Sequence, residues 1–136
     1  MQATTVLIVE QDVLVRHPLA EYLRECGYRV MEATQHDEAR ECLEGGKHCI
    51  EVALIDVGGA TGSGFALSAW IRSNYPTVKT MLGATVGKVL ALAGDLCEEG
   101  PQAAKKLNYR PVLDHIRQLL ATRKPPKITS RDTRAG

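Results

Sequence analysis

The sequence carries no excess charge of either sign. Its 17 basic and 16 acidic residues leave a formal net charge of +1, so no field is strong enough to make nucleic acid or an anionic membrane the main partner. It has no C-x-x-C pair. The four cysteines, Cys26, Cys42, Cys49 and Cys97, are irregularly spaced, which excludes the ligand pattern of a zinc site and the framework of a small secreted fold, and points to reduced, cytoplasmic thiols. No apolar run approaches the ~20 residues that span a bilayer, and the start lacks the basic-then-apolar order of a leader. There is no internal repeat, and no G-K-[ST] follows the glycines, which removes a Walker-type phosphate loop. What remains is a chain of 136 residues, the size of one domain that can bury roughly two-thirds of its unfolded surface without metal or disulfide. A cytoplasmic, soluble protein is the expectation.

The chain is organised around Val52-Ala53-Leu54-Ile55-Asp56, an apolar run of strand length that ends in one carboxylate and then dissolves into Val57-Gly58-Gly59-Ala60-Thr61-Gly62-Ser63-Gly64. Asp56 is expected at the mouth of a buried strand, facing a loop of bare backbone. Thr5 to Glu10 is a second β-branched apolar run ending in an acid. Leu19, Tyr22, Leu23 and Cys26 repeat at helical spacing from about Val15, Pro18 suits the first turn of that helix, and Gly27 supplies its stop. Tyr28 to Ala33 reads as a short strand. Thr34-Gln35-His36-Asp37 has capping-box spacing and opens a helix through Leu43, which Gly45-Gly46 ends. Cys49 to Asp56 is the central strand, after which Ser63 can cap a helix carrying Phe65, Ala69 and Trp70 until Pro76. Val78 to Leu82 makes a fourth strand, and Val86, Val89, Leu90, Ala93 and Cys97 form a helical stripe that stops at Gly100-Pro101. A fifth strand falls within 102–107. Pro111 opens a last helix with Val112, Leu113, Ile116, Leu119 and Leu120 on its buried face. Residues 123–136 are polar, basic and proline-containing, and read as a disordered tail.

Strand and helix thus alternate five times, which predicts an α/β fold with a five-stranded parallel sheet, doubly wound by right-handed crossovers in the flavodoxin-like order 2-1-3-4-5. Strands one and three are central neighbours in that winding, so Glu10 and Asp56 meet at one crevice. Two carboxylates beside glycine-rich backbone suit a hard cation such as Mg²⁺, which takes one or two carboxylates and keeps several waters. Asp56 there can attack a phosphoryl group to give an aspartyl-phosphate. The plainer alternative is that Asp56 merely caps the turn that follows it.

Residues 5 to about 122 resemble the receiver domains of two-component response regulators. Val6-Leu7-Ile8-Val9-Glu10-Gln11-Asp12 is similar to that family's apolar strand ending in an acidic pair, and the stretch from Asp56 to Gly64 is similar to its phosphoacceptor loop, with Gly64 matching and Ala60 replacing a common proline. The resemblance implies one receiver-like domain over 1–122, a signalling role and no enzyme activity. Asp56 would be the phosphoacceptor. Mg²⁺ would be held by Glu10, Asp56 and the Gly58 carbonyl, with Gln11 at the neighbouring position. A histidine kinase or histidine phosphotransfer protein would be the donor. The face made by the fourth helix, fifth strand and last helix would be the contact surface, and a homodimer can form there.

Besides Ala60, three departures bear on the transfer of function. Gln11 stands where a second acid is usual, removing one charge from the cation site. Ala84, in Leu82-Gly83-Ala84-Thr85, stands where Thr or Ser would bond the phosphoryl group, and Thr85 takes that place only if the register shifts by one. Lys106, or Lys105 in a shifted register, falls near the place of the phosphate-contacting lysine but lacks the proline after it, and Tyr109 is the nearest candidate for the switch aromatic. These departures define the rival reading, a degenerate receiver that binds proteins independently of phosphate. A dehydrogenase reading, raised by the glycines and by Tyr75-Pro76-Thr77-Val78-Lys79, fails because the glycine loop follows the wrong strand and only ten residues separate Gly64 from Tyr75.

Overall fold

The computed structural model describes residues 4–45, 49–58 and 63–99, together with Asp114 and Gln118. Strands and helices alternate as β1 (Thr5–Val9), α1 (Val13–Glu25), β2 (Arg29–Ala33), α2 (His36–Gly45), β3 (Ile50–Asp56), α3 (Ser63–Asn74), β4 (Lys79–Gly83) and α4 (Val86–Glu99). The four strands form one parallel sheet in the order β2-β1-β3-β4. That is the predicted winding up to its fourth strand. The fifth strand expected over 102–107, the residues Lys106 and Tyr109, and the tail over 123–136 lie outside the described residues. Of the expected last helix, Asp114 and Gln118 are described, and both are helical and exposed.

Every residue of β1 is buried, because strand alternation sends its apolar side chains to both faces of a covered sheet. Val6 and Ile8 join Val52 and Leu54 of β3 in one core, whereas Leu7 and Val9 join Ala53 and Ile55 in the other. The connection from β1 to β2 runs across the sheet in the opposite sense to those from β2 to β3 and from β3 to β4. Right-handed crossovers therefore put α1 on one face and α2 and α3 on the other. In the same sense, α1 contributes Leu19 and Leu23 to the first core, and α2 and α3 contribute Ala39, Leu43, Leu67 and Ile71 to the second. Helix α4 returns to the α1 face, where Val89, Leu90, Ala93, Leu96 and Cys97 are buried. The predicted α4 stripe is thus spent inward. The opposite side of α4, with Lys88, Ala91 and Asp95, is exposed, and of the rest of the expected homodimer face only Asp114 and Gln118 are among the described residues.

Local chemistry corrects several expectations. Asp12 caps α1 by accepting from the Leu14 amide at 2.9 Å, so the helix begins at Val13 and Pro18 sits in its second turn rather than its first. The carbonyl that loses a donor there belongs to Leu14, on the exposed side of the helix, where water can replace it. Ahead of α2, the reciprocal contact to Thr34 comes from Glu38, not Asp37. Glu38 accepts from the Thr34 amide at 2.7 Å and from its hydroxyl, and those bonds hold its carboxyl below the ordinary carboxylate range. On α3 the buried face is Leu67, Ser68 and Ile71, while Phe65 and Ala69 are exposed. Trp70 is half-buried, with the Arg40 guanidinium of α2 stacked 4.5 Å from its ring centroid.

The expectation of four reduced thiols is also overturned. Cys26 and Cys97 are joined, with Cα atoms 5.3 Å apart, while Cys42 and Cys49 are free. The partners are 71 residues apart in sequence and meet only because α4 folds back on α1. In the chain-entropy picture, a cross-link closing a loop of that length stabilises by about 4 kcal/mol. No described helix is long and apolar enough to cross a membrane.

Candidate functional site

Val9 lies opposite Ile55 in the β1–β3 register, so the next residues of each chain segment, Glu10 and Asp56, emerge side by side at the C-terminal edge of the sheet. Glu10 is only 4% exposed. Its Oε2 accepts from the Asp12 amide at 3.0 Å, whereas its buried Oε1 finds no donor. The group it faces is the Asp56 carboxyl. Two carboxylates can share a hydrogen bond only when one of them keeps a proton. Burial chiefly, and then the hydrogen bond and charge of Asp56, raise the Glu10 pKa from 4.5 to about 7 against the pull of the Asp12 amide. The pair therefore holds either a shared proton or a site for a cation.

Asp56 is half-buried, and its Oδ1 accepts from the Gly58 amide at 2.8 Å. The turn-capping role is therefore real, and coexists with the contact to Glu10. Backbone crowds this turn. A Cβ at Gly58 would strike the Ala84 carbonyl oxygen, and one at Gly64 would lie 2.9 Å from the Asp56 carbonyl oxygen and 2.8 Å from Val57 Cγ1. Both glycines let a second segment close directly onto the end of β3.

Across β4, Gly83 pairs with Asp56 and its carbonyl accepts from the Val57 amide at 2.9 Å. Ala84 is exposed and follows at once, beside Gly58. The Thr85 hydroxyl is already engaged, accepting from the Lys88 amide at 3.1 Å as the cap of α4. Ala84 thus lies against Gly58 just past β4, while Thr85 serves α4. Gln11 is exposed, and Asp12 is committed to its capping bond. Among the described residues no group of three or more His, Cys, Asp or Glu side chains could hold a metal, which leaves Glu10 and Asp56 as the acidic pair. The donorless Glu10 oxygen fits a cation.

Arg16 is a positioning residue that sequence reasoning missed. Its guanidinium donates to the Glu10 carbonyl at 3.0 Å and pairs with Glu32 of β2 at 3.1 Å, with both side chains largely buried. It therefore ties the end of β1, α1 and β2 together behind Glu10. The only available signal was a basic residue less than two turns after the strand end.

No family model matches the sequence. It is 36% identical over 73 residues to a cyclic di-GMP phosphodiesterase of Thermotoga maritima, covering 54% of this chain and 19% of that protein. It is 25% identical over 118 residues to the transcriptional regulatory protein AruR of Pseudomonas aeruginosa, covering 85% of this chain and 48% of that protein. The chain thus spans less than half the length of these curated relatives. Among solved structures, a response regulator from Thermotoga maritima superposes with a TM-score of 0.55 at 20% identity, over 89% of this chain and all of that one. A CheY-like receiver domain from Methanospirillum hungatei gives 0.56 at 20% identity, over 88% and 95% of the two chains. The non-phosphorylated HemR receiver domain from Leptospira biflexa gives 0.53 at 21%, over 90% and 98%. The chain has the fold of response regulator receiver domains.

Proposed function

We propose that the chain is a receiver domain of a two-component system, in which Asp56 accepts a phosphoryl group from a histidine kinase or histidine phosphotransfer protein. The carrying observation is the meeting of Glu10 and Asp56 from separate strands, with one buried Glu10 oxygen lacking a donor. Mg²⁺ would be held by Glu10, Asp56 and the Gly58 carbonyl, with Gln11 adding no charge, and would offset the negative charge that phosphoryl transfer brings to the crevice. An Asp56 oxygen forms the new bond to phosphorus as the bond from phosphorus to the donor's histidine nitrogen breaks. The signal leaves through surface contacts, and the chain itself needs no enzyme activity beyond accepting the group. Lys106 is the proposed phosphate contact and Tyr109 the proposed switch aromatic.

A small acyl phosphate tests this reading without knowledge of the kinase. Intact-mass measurement is expected to show one added phosphoryl group with Mg²⁺ present, none with a chelator, and none for Asp56→Asn under either condition. A persistent adduct on Asp56→Asn would assign the wrong nucleophile. Ala84 and Gln11 favour a second reading, a degenerate receiver that binds its partner without phosphate, and absence of any adduct on the parent protein would select it. Ala84→Thr is expected to slow loss of the phosphoryl group or enlarge its conformational effect, because a hydrogen bond to a charged group contributes roughly 1.5–3 kcal/mol. Circular dichroism and the decay of the adduct measure both.

A further inference from the structure

The turn between α1 and β2 is fastened twice to the last turn of α4. Cys26, the C-cap of α1, is bonded to Cys97, and Tyr28, just before β2, donates its hydroxyl to the Leu96 carbonyl. Both fastenings are buried, with Cys26 at 0%, Cys97 at 6% and Tyr28 at 8% exposure. They lie at the N-terminal edge of the strands, opposite Asp56, and phosphoacceptance uses neither. Cys97 nevertheless lies within the last turn of α4, which closes on the exposed Glu98 and Glu99, so fraying of one turn uncovers its sulfur.

The place of α4 has a topological consequence. A further parallel strand beside β4 requires a right-handed connection, and the helix of that connection must lie on the face of α2 and α3, as α3 itself does between β3 and β4. Helix α4 lies on the other face, beside α1. While it is fastened there, α4 does not occupy the place of a right-handed connector to a strand beyond β4.

We propose that Cys26 and Cys97 form a redox latch: oxidised, it holds α4 over α1, and reduced by a dithiol, it frees α4 to leave that face. A thiolate of the dithiol attacks Cys97 Sγ, the S–S bond breaks, and Cys26 departs as a thiolate that takes up a proton. The second thiol of the reductant then displaces Cys97, so the reductant leaves as a disulfide and two electrons have passed to the cysteine pair. Exchange with an oxidised disulfide reverses the step.

The full chain, with and without dithiothreitol, tests the latch by native alkylation with iodoacetamide, intact mass and amide hydrogen exchange. The oxidised protein is expected to take at most two adducts, at Cys42 and Cys49, and the reduced protein four. On reduction the α4 amides should exchange about 30-fold faster or more, the low end of what such a cross-link contributes, with a smaller change in β1. Four adducts without reductant, or α4 exchange unaltered by reduction, would overturn the proposal. The double variant Cys26→Ser, Cys97→Ser should exchange like the reduced parent and ignore dithiothreitol, and a surviving response would equally overturn it. If the variant does not fold, the comparison of the two parent states decides alone.

Discussion

Replacing Glu10 with Gln should make the protein more stable at pH 8 and flatten the dependence of its stability on pH. The Glu10 pKa is about 7 in the folded protein against 4.5 for an unperturbed side chain, so between those values the folded state holds a proton that the unfolded state has released. Stability is then fully present below about pH 4.5 and is lost as pH rises through 7. At 1.36 kcal/mol per unit the loss amounts to about 3 kcal/mol, large beside the 5–15 kcal/mol that separates a typical domain from its unfolded state. Glutamine has no proton to lose. Its carbonyl oxygen can keep the Asp12 amide as donor, while its amide nitrogen, in the place of the donorless Glu10 Oε1, can donate to the Asp56 carboxylate without a shared proton. Denaturant titrations at pH 5 and pH 8 without divalent cations should show the parent losing about 3 kcal/mol and Glu10→Gln less than about 1 kcal/mol. An equal slope for both proteins would assign the loss to other groups. Mg²⁺ at pH 8 should stabilise the parent more than the variant, since only the parent presents two carboxylates to it.

The meeting of Glu10 and Asp56 was legible because it follows from pattern alone: two continuous apolar runs ending in acids, in a chain whose alternation of strand and helix makes those strands neighbours. The α4 stripe is legible for a different reason, the 3.6-residue spacing of its apolar positions. Legibility ended where a residue's role depends on how elements dock. Pro18 falls one turn deeper than its missing N–H suggests because Asp12, two residues past Glu10, serves as the cap. Phe65 looks like a core residue by composition, yet α3 docks through Leu67 and Ile71, a rotation set by the close approach of Gly64 to β3. No spacing rule connects Cys26 to Cys97, since their contact exists only once α4 chooses the α1 face. Arg16 acts through a backbone carbonyl, which carries no side-chain signature.

Gly64→Ala should destabilise the protein although alanine is the better helix former. Gly64 lies in the first turn of α3, where intrinsic propensity favours alanine by up to about 1 kcal/mol. Against that, the new Cβ would sit 2.9 Å from both the Asp56 carbonyl oxygen and Val57 Cα, and backbone at the end of a central strand cannot move aside as a flexible side chain would. Overpacking of this kind costs about 1–3 kcal/mol, so the clash wins wherever it exceeds the propensity gain. The strain falls on the residue that presents the Asp56 carboxylate. A lower melting temperature, by roughly 5 °C, should therefore accompany weaker phosphoryl acceptance, through displacement of Asp56 relative to Glu10 and Gly58. Gly87→Ala isolates the propensity effect, because its Cβ would meet nothing closer than Thr85 Oγ1 at 3.9 Å. That variant should raise the melting temperature and leave acceptance unchanged. Opposite signs for two glycine-to-alanine changes near helix starts would locate the constraint in the contact between α3 and the end of β3. Matching signs would remove the steric role assigned to Gly64.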